Sequence, residues 1–376
     1  MTDRESHAFA MLREGVHPRS IEVAGLQAGM PMPPLALQDE VSLSLSMHVA
    51  EQTRKDLAAE GRTLPARWYS DPAVWELERE RIFARTWQFV GPVQWVAEHG
   101  DHFSAMAAHI PVVVVRDGDE IRAFVNVCRH RAHLVVQGRG NRASLQCPYH
   151  AWTFGLDGCL RSAPRLREED MRASAEELGL RPLRCEVFGL GVFVNADLDA
   201  APLTEALGDV PEQLARSGVD FASLQLRRSV DWTSTGNWKN AVENYLECYH
   251  CPVAHPGFSQ AIDVRPEHYV LETGPLTMSQ RGPARHDGAE ALLPRGVVEV
   301  SQYHLLFPTT SIDVVPGPPN LTLYTWNPTG PHSMAATAHY FFAPEVTEAE
   351  VDQILEFAAG QPMHGEISAE EWAILA

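Results

Sequence analysis

The chain has 376 residues, 45% hydrophobic and 21% charged, the make-up of a globular protein with room for two cored domains. Its formal charge of −19 argues against nucleic acid or an anionic membrane as a partner. The longest apolar runs, such as Ile110 to Val115, are far too short to span a bilayer, and the opening M-T-D-R-E-S-H lacks an apolar signal core, so the expected location is the cytoplasm.

Residues 1–62 show no sustained period and carry Met-Pro-Met-Pro-Pro at 30–34, which predicts an irregular N-terminal extension with one helix near Ser46–Glu60. Asp71-Pro72 reads as an N-cap followed by proline at the first helical position, opening a helix to about Arg85. From Thr86 to Ala196 the texture changes to short β-rich runs. Pro111–Val115 and Ile121–Val127 flank Asp117-Gly118, and Asp157-Gly158 marks another hairpin, so this stretch predicts a small antiparallel β domain. A helical linker follows over Leu203–Ser217.

The stretch from Asn237 to Pro256, N-W-K-N-A-V-E-N-Y-L-E-C-Y-H-C-P-V-A-H-P, reads as a helix over 237–251. That helix would align Glu243, Glu247 and His250 on one face, at i, i+4 and i+7, with His255 just beyond its end. Strands at about Val298–Leu306, Asn320–Trp326 and Ala335–Phe342 predict an antiparallel sheet packed on helices, hence an α+β domain. Thr347-x-x-Glu350 is a capping box for a helix to about Ala359, stopped by Gly360 and Pro362, and a last helix starts near Ser368. The expected division is 1–62, 63–225 and 226–376.

Two clusters carry chemistry. Two imidazoles at the spacing of His250 and His255, with no Cys/His quartet to close the shell, suit a mononuclear iron with open positions, which needs one carboxylate more. Upstream, Cys128-Arg129-His130 is separated by sixteen residues from Cys147-Pro148-Tyr149-His150. Such a set can hold a tetrahedral zinc, or a 2Fe–2S cluster with two thiolates on one iron and two imidazoles on the other. The unequal gaps, the neighbouring hairpins and the surrounding Tyr149, Trp152 and Phe154 favour the cluster. In a reducing compartment the six cysteines are expected mostly as thiols or metal ligands.

C-R-H-R-A-H, then C-P-Y-H-A-W-T-F, strongly resembles the cluster-binding signature of Rieske non-haem iron oxygenases, and E-N-Y-L-E-C-Y-H-C-P-V-A-H resembles their second signature. The likeness covers roughly residues 63–376, and it accounts for Cys248-x-x-Cys251 as ordinary neighbours of the iron ligands in place of a redox pair. It implies an antiparallel β Rieske domain followed by an α+β helix-grip catalytic domain, assembled as a homotrimer. By that resemblance Cys128 and Cys147 hold one cluster iron, and His130 and His150 the other. His250 and His255 bind the mononuclear Fe(II). Glu247 is the bridging carboxylate between an iron-ligating histidine and a cluster histidine of the next subunit. Electrons are implied to come from NAD(P)H through a separate flavin-containing reductase, and the co-substrates are O2 and a small organic molecule.

The bridging position holds Glu247, where ring-hydroxylating dioxygenases usually carry Asp, and the segment is one residue shorter than theirs. Both features resemble the branch oxidising carnitine, choline and betaines, which implies hydroxylation or N-dealkylation of a small amine or quaternary ammonium compound. Hydroxylation of an aromatic ring or acid is the alternative; a Rieske electron carrier without a working iron site, or a zinc protein, are the others. The third iron ligand is expected at Glu371, with Glu366 and Asp352 as alternates, although Ser368-x-x-Glu371 is also a capping box. Tyr303 with Phe307, and Tyr324 with Trp326, share strand faces and are candidates to face a quaternary ammonium group through their rings.

Overall fold

The computed structural model describes residues 66–359, apart from 168, 170–174, 176 and 286–291. The expected helices near 46–60 and 368, and Glu366 and Glu371, lie outside the described residues. The chain divides into two compact units, residues 1–77 and 78–376. In the first, α1 (Arg67–Ser70) is followed by α2 (Pro72–Glu78), whose Asp71 cap accepts the Ala73 N–H at 2.8 Å. A π-turn over Arg79–Phe83 prolongs α2, so the helical run ends at Phe83, two residues short of the expected Arg85.

The second unit begins with an antiparallel β domain. Strands β1 (Gln88–Pro92), β2 (Asp101–Ala107), β3 (Ile110–Asp117), β4 (Glu120–Val125), β5 (Arg139–Asn141), β9 (Pro182–Phe188) and β10 (Gly191–Asn195) form a sheet ordered β1-β10-β9-β4-β3-β2-β5. Val112, Val114 and Val192 fill its core beside Phe103. A smaller sheet of β6 (Leu145–Gln146), β7 (Thr153–Phe154) and β8 (Leu160–Ser162) carries the second Cys-His loop. The turn at Gly158 has φ +83°, in the region where glycine lacks the Cβ penalty. The linker forms α3 (Leu203–Leu207) and α4 (Val210–Ala215), broken at Gly208.

The remainder is one long antiparallel sheet with helices on one face. Its strands β11 (Gln225–Thr235), β12 (Val270–Thr273), β13 (Thr277–Pro283), β14 (Val300–Leu306), β15 (Thr310–Val314), β16 (Asn320–Gly330) and β17 (Ser333–Phe342) run in the order β11-β17-β16-β15-β14-β13-β12. Strand alternation gives the sheet two occupations. Thr310, Ile312, Leu323 and His339 face the β domain: Thr310 Oγ1 accepts the Phe89 N–H at 3.3 Å, and His339 packs edge-on against Phe89 and Trp95 at 5.5 and 5.0 Å. Their neighbours in sequence, Ser311, Asp313 and Tyr324, line a cavity on the opposite face.

Over that face lie α5 (Trp238–Tyr245), α6 (Cys251–Ala254) and α7 (Pro256–Ala261), and α8 (Glu348–Ala359) closes the described chain. Thr347 and Glu350 form the expected capping box, with Glu350 accepting the Thr347 N–H at 2.9 Å. Among the described residues no helix is long and apolar enough to cross a membrane.

Candidate metal centres and active-site cavity

Each Cys-His pair sits in a five-residue loop closed by the same hydrogen bond. Ala132 N–H returns to Cys128 O at 2.9 Å, and Ala151 N–H to Cys147 O at 3.0 Å. Both alanines adopt left-handed backbone, φ +55° and +57°, a conformation L-residues rarely hold unless the surroundings over-determine it. Asn126 fixes the approach: its Oδ1 accepts from Val135 and Val136, and its Nδ2 donates to Val136 O at 2.8 Å.

The result is a polarised set. The two thiols are buried and hydrogen-bonded to each other, whereas His130 and His150 stand at the surface, ring centroids 4.6 Å apart. Trp152 stacks flat on His130 at 5.1 Å. Burial pushes the Cys128 thiol above its ordinary range, so it ionises only where a metal charge offsets the lost hydration. Two inner thiolates and two outer imidazoles fit the donor set of a Rieske 2Fe–2S cluster.

The second centre departs from the expected single helix. Asn237 caps α5 through Lys239 N–H, and Glu78, accepting from Trp238 Nε1 at 2.9 Å and ion-paired with Lys239, holds its first turn. The helix then stops at Tyr245, so Glu243, Glu247 and His250 do not share a helical face. Two captures end it. The Gln280 side chain takes the Tyr245 carbonyl, and the Glu247 carboxylate takes the Tyr249 N–H, so neither group joins the helical ladder. Cys248 and Cys251 are joined as a disulfide, Cα atoms 5.0 Å apart, instead of remaining thiols; the break in the helix brings them within bridging range.

This irregular turn converges the histidines. His250 Nε2 and His255 Nε2 face each other at 3.0 Å, while Glu247 Oε1 accepts from His250 Nδ1 at 2.6 Å. Two ligands about 2.1 Å from one first-row ion at a right angle have donors about 3.0 Å apart, so the pair fits adjacent positions on a metal. Burial, reinforced by His250, pushes His255 down to about 4, which keeps it neutral and ligand-ready. Among the described residues no carboxylate completes a three-ligand group. Asp352 lies exposed on α8, 3.5 Å from Arg228, and does not line the cavity.

The histidines open on a cavity of about 130 Å³ that communicates with solvent. Tyr303, Tyr324 and Trp326 line it, as the strand alternation predicts. Phe307 does not: β14 ends at Leu306, so the alternation that carries Tyr303 inward stops before it, and Phe307 lies 6.3 Å from Trp238. Unforeseen members are Tyr245, Phe258, Tyr269, Gln280 and, above all, Asp313. The Trp326 ring stands 5.2 Å from Tyr245 and 4.3 Å from Tyr324. Asp313 Oδ1 accepts from Tyr245 Oη at 2.6 Å and Oδ2 from Ser311 Oγ at 3.1 Å. It keeps contact with solvent through the cavity, yet its aromatic surroundings push the carboxyl up to about 7 against those two hydrogen bonds.

Comparison with known proteins gives three family matches. Residues 86–184 match the Rieske [2Fe-2S] domain, and residues 221–370 the ring hydroxylating alpha subunit (catalytic domain). Residues 4–76 match the C-terminal domain of 3-hydroxyacyl-CoA dehydrogenase, a likeness the amino-acid pattern did not disclose. The carnitine monooxygenase oxygenase subunit of Escherichia coli (strain K12) is 31% identical over 300 residues, 79% of each chain. The chloroplastic choline monooxygenase of Amaranthus tricolor is 34% identical over 213 residues, 55% of this chain and 48% of that one. A solved quaternary ammonium Rieske monooxygenase in complex with its substrate L-carnitine aligns with a TM-score of 0.66 at 30% identity, over 78% of this chain and 79% of that one.

Proposed function

The chain belongs to the Rieske non-haem iron oxygenases of the ring-hydroxylating alpha-subunit family, and from that premise we propose a monooxygenase acting on a small amine or quaternary ammonium compound by hydroxylation or N-dealkylation. The carrying observation is the imidazole pair, 3.0 Å between Nε2 atoms, at the wall of a cavity lined by Tyr245, Tyr303, Tyr324 and Trp326. A quaternary nitrogen has no proton to donate, so ring faces and a diffuse negative field are the attractions open to it.

Cys128, Cys147, His130 and His150 would hold the 2Fe–2S cluster, and His250 and His255, with a carboxylate from beyond residue 359 such as Glu371, the mononuclear iron. When bound, the cluster supplies electrons one at a time and the iron the site at which O2 is reduced. The chain's own residues arrange the rest. Glu247 orients His250 by accepting its Nδ1–H, so Nε2 is left free to ligate. The Glu247 carboxylate is half-exposed, which lets it reach outward as well. Beside it Tyr249 and Val253 are 95% and 89% exposed, large apolar groups that a neighbouring subunit would cover. His130 and His150 stand on the surface beside exposed Leu134 and Tyr149. These two faces support a homotrimer in which the cluster of one subunit serves the iron of the next across Glu247. A separate flavin reductase drawing on NAD(P)H would load the cluster.

Metal analysis of anaerobically prepared protein tests the reading: three irons per chain are expected, and two would leave only an electron carrier. Oxygen uptake with a reductase, supplied with quaternary ammonium or aromatic compounds, separates the substrate classes.

A further inference from the structure

We propose that Asp313 is the anionic partner of the substrate's cationic head, and that the cavity therefore selects small cations whose remaining part carries no carboxylate; the proposal rests on the oxygenase reading above. Among the described residues two carboxylates line the cavity, and Glu247 is committed to His250 and the Tyr249 N–H. Asp313 has a different balance. Each of its oxygens receives one neutral hydroxyl hydrogen bond, and among the described residues no Lys, Arg or His pairs with it. A carboxylate removed from bulk water without a countercharge is costly, so proteins rarely keep one unless something else supplies the cation.

The cavity leaves that role to the ligand. Asp313 lies on the cavity side of β15, opposite Tyr303 in the register and one strand from Tyr324 and Trp326. The anion thus stands among ring faces, and both attract a trimethylammonium group without needing an N–H. The other end of the ligand meets different chemistry. No lysine or arginine lines the cavity among the described residues. The Gln280 amide is already spent on Tyr245 O and Tyr269 Oη. A zwitterion's carboxylate would find no cationic partner there and would be repelled by Asp313, whereas a hydroxyl or alkyl tail suffers neither penalty. Burial holds the Asp313 carboxyl at about 7, as fits a group whose charged form is stabilised by a bound cation.

The test is calorimetric titration of the iron-loaded enzyme with three probes: choline, its neutral isostere with tert-butyl in place of trimethylammonium, and a trimethylammonium carboxylate. The wild type is expected to bind choline roughly a hundredfold tighter than the isostere and at least about tenfold tighter than the zwitterion. In Asp313→Asn, which keeps the shape and one of the two acceptor oxygens, the choline preference should fall to about tenfold or less, the isostere should bind as before, and Asp313→Glu should restore the cation. Unchanged cation preference in Asp313→Asn, or tighter binding of the zwitterion than of choline by the wild type, overturns the proposal while sparing the oxygenase reading. A wild type that ignores quaternary ammonium compounds and oxidises aromatics removes both. Should the Asn variant not assemble, the wild-type ratios decide: a choline-to-isostere ratio below about tenfold overturns the proposal.

Discussion

A cation that pairs with Asp313 must compete with a proton for the same carboxylate, and this coupling gives a quantitative pH signature. Burial pushes the carboxyl up to about 7. The sign follows from the charged form being the binding form: affinity is fully present above 7 and is lost as pH falls. From about pH 8 to about pH 5.5 the ionised fraction drops from roughly nine-tenths to roughly three-hundredths, so choline affinity should fall roughly thirtyfold, about 2 kcal/mol. The facing tyrosines 245, 269, 303 and 324 are all raised by burial and stay neutral across this range, and His255 is held down at about 4. Glu247 and His250, the other ionisable groups of the cavity among the described residues, are present equally in Asp313→Asn. The ratio of wild type to variant therefore isolates Asp313. Calorimetry at the two pH values, in buffers of different ionisation enthalpy, reads both the affinity and the proton released. A wild-type profile parallel to that of the variant refutes the coupling.

Three further outcomes are expected. Glu247→Gln should retain both metal centres yet slow reoxidation of the reduced cluster by substrate and O2, on the order of a hundredfold; normal turnover would overturn the bridging role. Tyr249→Asp combined with Val253→Asp should dissociate the assembly, and a sedimentation profile identical to the wild type would remove that surface from the interface. Buried His304 and His339 are each lowered to about 4, so stability should be lost as pH falls from about 6.5 toward 4, by up to about 2–3 kcal/mol per residue near pH 4.5. Denaturant midpoints should show this, with a smaller loss in His304→Gln; equal losses in the two proteins would contradict it.

The cluster loops were legible because ligand chemistry fixes their residue types and gaps. Their left-handed turns at Ala132 and Ala151 were not, since nothing in an alanine advertises positive φ. The spacing of Glu243, Glu247 and His250 imitates a helix, and the break depends on Gln280, thirty-five residues from the carbonyl it captures. The resemblance makes the cysteine pair plain neighbours of the ligands, whereas the turn's geometry decides its pairing. Thr310–Val314 is a five-residue strand with polar groups facing the cavity, too short and too mixed for its period to declare itself. Asp313 consequently carries no mark in the sequence of facing the cavity, and its register against Tyr303 is what turns it inward.

The sheet's alternation also bears on engineering. Along β15, Ser311 and Asp313 serve the cavity while Thr310 and Ile312 turn to the opposite face, so two jobs are interleaved letter by letter. A designer can recode every second position to change what the enzyme accepts and leave the electron-supplying module docked as before. Deleting a single letter would exchange the two sets, seating isoleucine where the anion belongs and an acid against the β domain. Length, more than identity, is what a library built on this strand must conserve.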